Sequence, residues 1–215
     1  MKNIFFYLLL LNSFTFFGQT KIDENISINF PSKPEIFEIN EQSVKGKVYY
    51  VNSKEDSFFA MKLNVIPSDT LSEENPKNLN ELKRNYKIKI AKQIKSMAKK
   101  GLFLKDSSEI KINTFLAYKL NFKGNNSDEE IGESRILFLN GTTYIFIYSK
   151  VGSYSKIKKE HFFESIKIND PENSMQISGE SFNYFTAILS ILGSFIILYL
   201  ITKFLKNEKK RNLIR

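Results

Sequence analysis

Apolar residues in this chain change rhythm several times, and each rhythm predicts an element. Ser27–Pro34 (SINFPSKP) reads as a short extended run closed by two prolines. Val44–Asn52 and Phe58–Ile66 follow as strands on either side of the charged turn Lys54-Glu55-Asp56. In the second, Phe59, Met61, Leu63 and Val65 fall on one face while Lys62 and Asn64 fall on the other, the alternation of a half-buried strand. The period then lengthens. Leu79, Leu82, Tyr86, Ile90, Ile94 and Met97 recur every three or four residues, which predicts a long amphipathic helix. Asn75-Pro76 supplies its cap and first-turn proline, and Gly101 its stop.

Strand rhythm returns after Gly101. Leu102–Leu104 and Glu109–Ile112 read as two short pieces, and Leu116, Tyr118, Leu120 and Phe122 then alternate with Ala117, Lys119 and Asn121. Arg135–Leu139 and Thr143–Tyr148 flank Asn140-Gly141, a strong hairpin signal because both turn residues tolerate positive φ. Gly124–Gly132 (GNNSDEEIG) is an acidic loop, Ser155–Glu164 a short helix and Ser165–Ile168 a last strand. Hairpin-connected strands with two helices predict an α+β fold. Its mainly antiparallel β-sheet carries the long helix and the short C-terminal helix packed on it.

An unbroken apolar block sits near each end. Ile4–Phe17 follows Lys2 and would span roughly 21 Å as a helix, short of a bilayer core of about 30 Å. Ser181–Thr202 carries no charge, would span roughly 33 Å, and runs into Lys203, Lys206, Lys209, Lys210 and Arg211. The expected organisation is a signal peptide at 1–18, an exported domain at 19–168 and a polar linker at 169–180. A transmembrane helix at 181–202 and a basic cytoplasmic tail at 203–215 complete it. Cleavage between Gly18 and Gln19 is expected, although Phe16 is bulky where a small residue is usual. An uncleaved N-terminal anchor is the alternative. The expected location is therefore the cell membrane, single-pass, with the domain on the periplasmic or outer face and the C-terminus cytoplasmic.

Net charge, +9 overall, changes this picture little. Much of the excess lies after Thr202, where a basic tail sets orientation and reads no base sequence. No nucleic-acid partner is expected. The chain has no cysteine, which excludes disulfides, thiolate nucleophiles and thiolate metal sites. Its richness in Lys, Asn, Ile and Phe suits a bacterial envelope protein.

The chemistry on offer is sparse. His161 is the single histidine and sits beside Phe162 and Phe163, a setting for a partly buried packing residue. Asp128-Glu129-Glu130 is the densest acidic cluster, but three adjacent acids lack the spacing of a Ca²⁺ loop. No Gly-rich phosphate loop, nucleophile elbow or HExxH motif occurs. No catalytic, cofactor-binding or metal residue is assigned, and no cofactor is expected. One surface stands out: residues 77–100 are basic apart from Glu81. Lys83, Lys87, Lys92 and Lys95 are its candidate contacts with anionic headgroups or an acidic partner.

The order of elements resembles the PsbP-like superfamily, which includes small exported bacterial proteins. The resemblance covers about residues 25–168 and rests on Ile28-Asn29-Phe30-Pro31-Ser32-Lys33-Pro34, the helix ending at Gly101 and Glu109–Asn113. Ala117-Tyr118-Lys119-Leu120, the strand pair around Asn140-Gly141, and Phe162-Phe163-Glu164-Ser165-Ile166-Lys167-Ile168 complete it. It implies a PsbP-like α/β/α sandwich and an accessory role without catalysis; it transfers no site residue. The expected function is a non-catalytic, membrane-anchored binding or accessory domain serving an envelope protein partner. Two other readings stay open: a lipid or small-hydrophobe binding domain with a cavity between helix and sheet, and a hydrolase using carboxylates.

Overall fold

The computed structural model describes residues 18–41, 44–65, 75–152 and 154–178. Strands β1 (Thr20–Lys21), β2 (Ile26–Ile28) and β10 (Lys167–Ile168) form a small sheet in the order β1-β2-β10. Seven others form a large one: β3 (Glu35–Glu41), β4 (Val44–Asn52), β5 (Asp56–Val65), β6 (Phe103–Ile112), β7 (Phe115–Lys123), β8 (Glu130–Leu139) and β9 (Thr142–Lys150). Their order is β3-β4-β5-β9-β8-β7-β6, and every neighbouring pair is antiparallel. Helix α1 (Leu79–Ala98) carries the chain from β5 to the far edge strand β6, and α2 (Lys156–Glu164) follows β9.

Both faces of the large sheet are apolar, so it needs a layer on each side. Leu120, Phe122, Ile136 and Phe138 pack beneath Leu82, Tyr86 and Met97 of α1. On the opposite face Phe58, Ala60, Leu137 and Phe146 pack against Ile26 and Ile28 of the small sheet and Phe162 and Phe163 of α2. The mostly antiparallel sheet with two helices is thus the α+β arrangement that the alternation predicts.

Several expectations need correcting. In β5 the face of Lys62 and Asn64 also carries Phe58 and Ala60, both fully buried, while Phe59, Met61 and Leu63 on the other face are only partly covered by the helix layer. The cap of α1 is Asn78, whose side chain accepts from the Glu81 N–H at 3.0 Å; Asn75 and Pro76 lie outside the helix. Leu79 is half exposed, so the buried stripe starts at Leu82 and includes Gln93. Gly101 does end the helix. Its φ of 77° lets its own N–H reach Ala98 O and that of Leu102 reach Met97 O, the Schellman pattern. The two pieces expected before Asn113 are one strand, β6, with a bulge between Leu104 and Asp106. β3 was not foreseen. At the sheet edge it exposes Ile36 and Phe37 on opposite faces, so its pattern has neither strand alternation nor a buried run.

Asn140 and Gly141 form the expected turn, with φ of 49° and 73°. The polar stretch from Asn169 is packed into the domain as far as Ser178. Asn140 N–H donates to Met175 O, Ser178 N–H donates to Pro76 O, and Gln176 is buried. Among the described residues no helix is long and apolar enough to cross a membrane. The apolar blocks Ile4–Phe17 and Ser181–Thr202 and the basic tail lie outside the described residues.

Candidate functional site

Helix α1 separates the four lysines singled out by sequence. At about 100° per residue, Leu82, Tyr86, Gln93 and Met97 point inward, which fixes the direction of every other side chain. Lys83 lies on one flank and donates to Glu109 of β6 at 2.7 Å. Glu109 also accepts from Tyr118 Oη at 2.8 Å. Lys83 holds the Glu109 carboxyl below its usual range, while partial burial and Glu109 push the Tyr118 phenol up to about 12. Lys87 is exposed on the same flank. Lys92 and Lys95 project from the outer side, in line with Arg84 and Lys99 and around Ile88, which is 51% exposed. The structure therefore sets Lys92 and Lys95 in a row with Arg84 and Lys99, apart from Lys83 and Lys87 on the flank. Counting i, i+4, i+8, i+11 and i+15 from Arg84 through Ile88 would have found it. Among the described residues no acid pairs with any member of that row.

Acids elsewhere are engaged. Asp128 pairs with Lys123, Glu129 with Lys150 at 2.9 Å and Glu130 with Lys159 at 2.8 Å. Adjacent in sequence, the three acids are thus drawn to three different lysines. Among the described residues no group of three potential ligands is placed to hold a metal ion. His161 is exposed on α2 while its neighbours Phe162 and Phe163 are buried, which corrects the expectation of a packing histidine.

Lys159 joins two carboxylates, since its Nζ also lies 3.0 Å from Glu133 Oε2. Glu133 is 2% exposed and further accepts from Arg135 Nε at 2.8 Å, and Tyr154 Oη donates to Glu130. Burial opposes ionisation of Glu130, but the hydrogen bonds from Lys159 and Tyr154 outweigh it and hold the carboxyl below its usual range. Burial works likewise against the Lys159 ammonium, and Glu130, Tyr154 and Glu133 together raise its affinity for the proton. Here a bridging lysine keeps the Glu130 carboxyl ionised near neutral pH, so it has no proton to donate as a general acid.

A second polar surface was missed by sequence reading. Past the edge of the small sheet, β3, β4 and β5 floor an open groove of about 460 Å³, walled by Ile22 and Tyr49. Two cross-strand rows line it. One is Glu38, Lys47 and Lys62, continuing to Tyr144 on β9; the other is Asn40, Lys45 and Asn64. Asp23 closes the end of the first row. Its Oδ2 lies 2.8 Å from Lys62 Nζ and accepts from Tyr144 Oη at 2.6 Å, and its Oδ1 accepts from the Asn25 and Ile26 N–H groups. Burial penalises the Asp23 charge, yet these partners, Lys62 first, bring its carboxyl below the usual range. Burial and the same carboxylate push the Tyr144 phenol up. A Cβ on Gly46 would lie 2.3 Å from the Lys62 carbonyl oxygen, so only glycine lets β4 and β5 approach as they do beneath the groove. The rows are readable in register once the strands are paired; strand periodicity alone does not pair them.

No family model matches this chain, and no curated protein matches it. The solution structure of cyanobacterial PsbP (CyanoP) from Synechocystis sp. PCC 6803 is similar at 12% identity and a TM-score of 0.43, over 67% of this chain and 87% of that one.

Proposed function

We propose that this protein is a non-catalytic binding or accessory domain of PsbP-like architecture. It is held at the outer face of a bacterial cytoplasmic membrane by a single C-terminal span, and it docks through α1 onto anionic lipid headgroups. The observation that carries the reading is the exposed row of Arg84, Lys92, Lys95 and Lys99 around Ile88. Basic side chains near an anionic bilayer contribute about 1 kcal/mol each, and an apolar residue among them adds contact with the interface. The chain itself favours proximity: among the described residues Ser178 is the last one hydrogen-bonded into the domain, and in sequence the apolar block begins at Ser181. An acidic envelope protein would satisfy the same charges.

Binding of a small hydrophobe between helix and sheet is less well supported. Leu82, Tyr86 and Met97 fill that interface, and Tyr86 Oη is engaged by Leu116 O, the Phe138 N–H and Gln176. A photo-crosslinking residue in place of Ile88, in the full chain in intact membranes, tests the proposal. It should capture lipid, and substituting the four basic residues by Gln should abolish capture. Capture no greater than from the exposed position Val151 sinks it, and capture of protein alone replaces the lipid with an acidic partner.

A further inference from the structure

The groove over β3, β4 and β5 gathers more positive charge than the fold itself neutralises. Lys47 and Lys62 stand directly opposite on paired strands, where like charges disfavour the pairing. Each has its own acid: Glu38 Oε1 lies 3.3 Å from Lys47, and nearly buried Asp23 lies 2.8 Å from Lys62. Lys45 has no acidic partner among the described residues and stands between the amides of Asn40 and Asn64. The second row is therefore an ammonium flanked by two amide groups that can donate hydrogen bonds, with two further ammonium groups one row behind. Such an arrangement suits the oxygens of an anionic group.

Size and lining narrow the class. A bare inorganic anion would fill one corner of about 460 Å³, whereas pockets of a few hundred Å³ or more hold a small organic molecule. Ile22 and Tyr49, both nearly buried, supply a narrow apolar wall for such a molecule's body. The Tyr49 hydroxyl already donates to Ile22 O at 2.9 Å, so it presents mainly its ring. From this geometry we propose that the groove is a binding site for a small organic acid, its carboxylate or phosphate held by Lys45, Asn40 and Asn64 and its body on the Tyr49 wall. This site is independent of the docking row on α1, which lies on the opposite side of the large sheet.

The test uses the full chain in micelles of uncharged detergent. Galacturonate, glycerol 3-phosphate and uncharged galactose are titrated by calorimetry. At least one of the two acids should bind saturably and galactose should not. Lys45→Gln should weaken that binding about ten-fold, as loss of a charged hydrogen bond does, while Lys111→Gln on the far edge strand leaves it unchanged. Equal weakening by both variants would mean diffuse charge attraction and overturn the proposal. So would binding of neither acid, or of phosphatidylglycerol added to the micelles in their place. If Lys45→Gln disturbs the fold by circular dichroism, Asn64→Leu, which removes one amide and keeps the charge, decides: unchanged affinity overturns the site.

Discussion

At the scale of single residues, Asp23 combines two tasks in one nearly buried carboxylate. It turns the chain between β1 and β2 by accepting from two backbone N–H groups, and it neutralises Lys62 across the groove. Its carboxyl titrates below the ordinary range in the folded chain, so the unfolded chain takes up the proton first as pH falls. Its stabilising effect is therefore complete above the ordinary carboxylate value, about pH 4, and is lost as pH drops through the lower folded value. Asp23→Asn should cost about 1–3 kcal/mol at pH 7, because Lys62 and the Tyr144 hydroxyl lose a charged partner. The cost should shrink towards zero in acid. Urea melts of both proteins between neutral and strongly acidic pH measure this, and a penalty that does not depend on pH would show that the charge is irrelevant.

At the scale of elements, the cap of α1 gives a direct comparison. Asn78 and Asn75 are the same residue type three positions apart, and only Asn78 accepts from the Glu81 N–H. Asn78→Ala should lower stability by about 1 kcal/mol, and Asn75→Ala by less than about 0.5 kcal/mol. The reverse order in thermal melts would restore the cap suggested by the Asn-Pro pair. Most of the elements were legible in the sequence: β4, β7, the Asn140-Gly141 hairpin and both helices followed from period and turn chemistry. The edge strands were not. β3 and the middle of β6 are exposed on both faces, so burial imposed no alternation on them. Without β3 there is no groove, and that is why the groove was invisible while the basic helix was not. Even on the helix, composition revealed the charge but only the inward direction of Leu82 and Tyr86 sorted it into a row and a flank. That Lys83 is paired was hidden because its partner, Glu109, lies on β6, far along the chain.

At the scale of the molecule, the domain reaches further along the chain than its polarity suggests. A polar stretch with Pro171 and Gly179 reads as linker, and cutting after Ser174 looks harmless on that basis. The contacts say otherwise. Gln176 is 8% exposed; its amide nitrogen, with two hydrogens, lies in donating range of Leu116 O and Phe138 O, both at 2.7 Å, and of Tyr86 Oη at 3.1 Å, and its Oε1 accepts from the Leu116 N–H at 2.9 Å. Ile177 packs against the helix-side core. One side chain thus serves polar groups of β7, β8 and α1 together, and removing it takes a partner from each and leaves the Leu116 N–H without its acceptor. The fragment 19–178 should fold as a monomer with a single cooperative transition, since the sheet and its two covering layers bury each other's apolar faces without disulfides. The fragment 19–174 should be less stable by about 2–4 kcal/mol, the cost of stranding buried amide and carbonyl groups less what water recovers. Gln176→Ala within 19–178 should reproduce most of that loss, which separates the role of this side chain from mere shortening. Equal denaturation midpoints for the two fragments would return residues 175–178 to the linker. A 19–178 fragment that aggregates or melts without cooperativity would show instead that the domain needs the rest of the chain to fold.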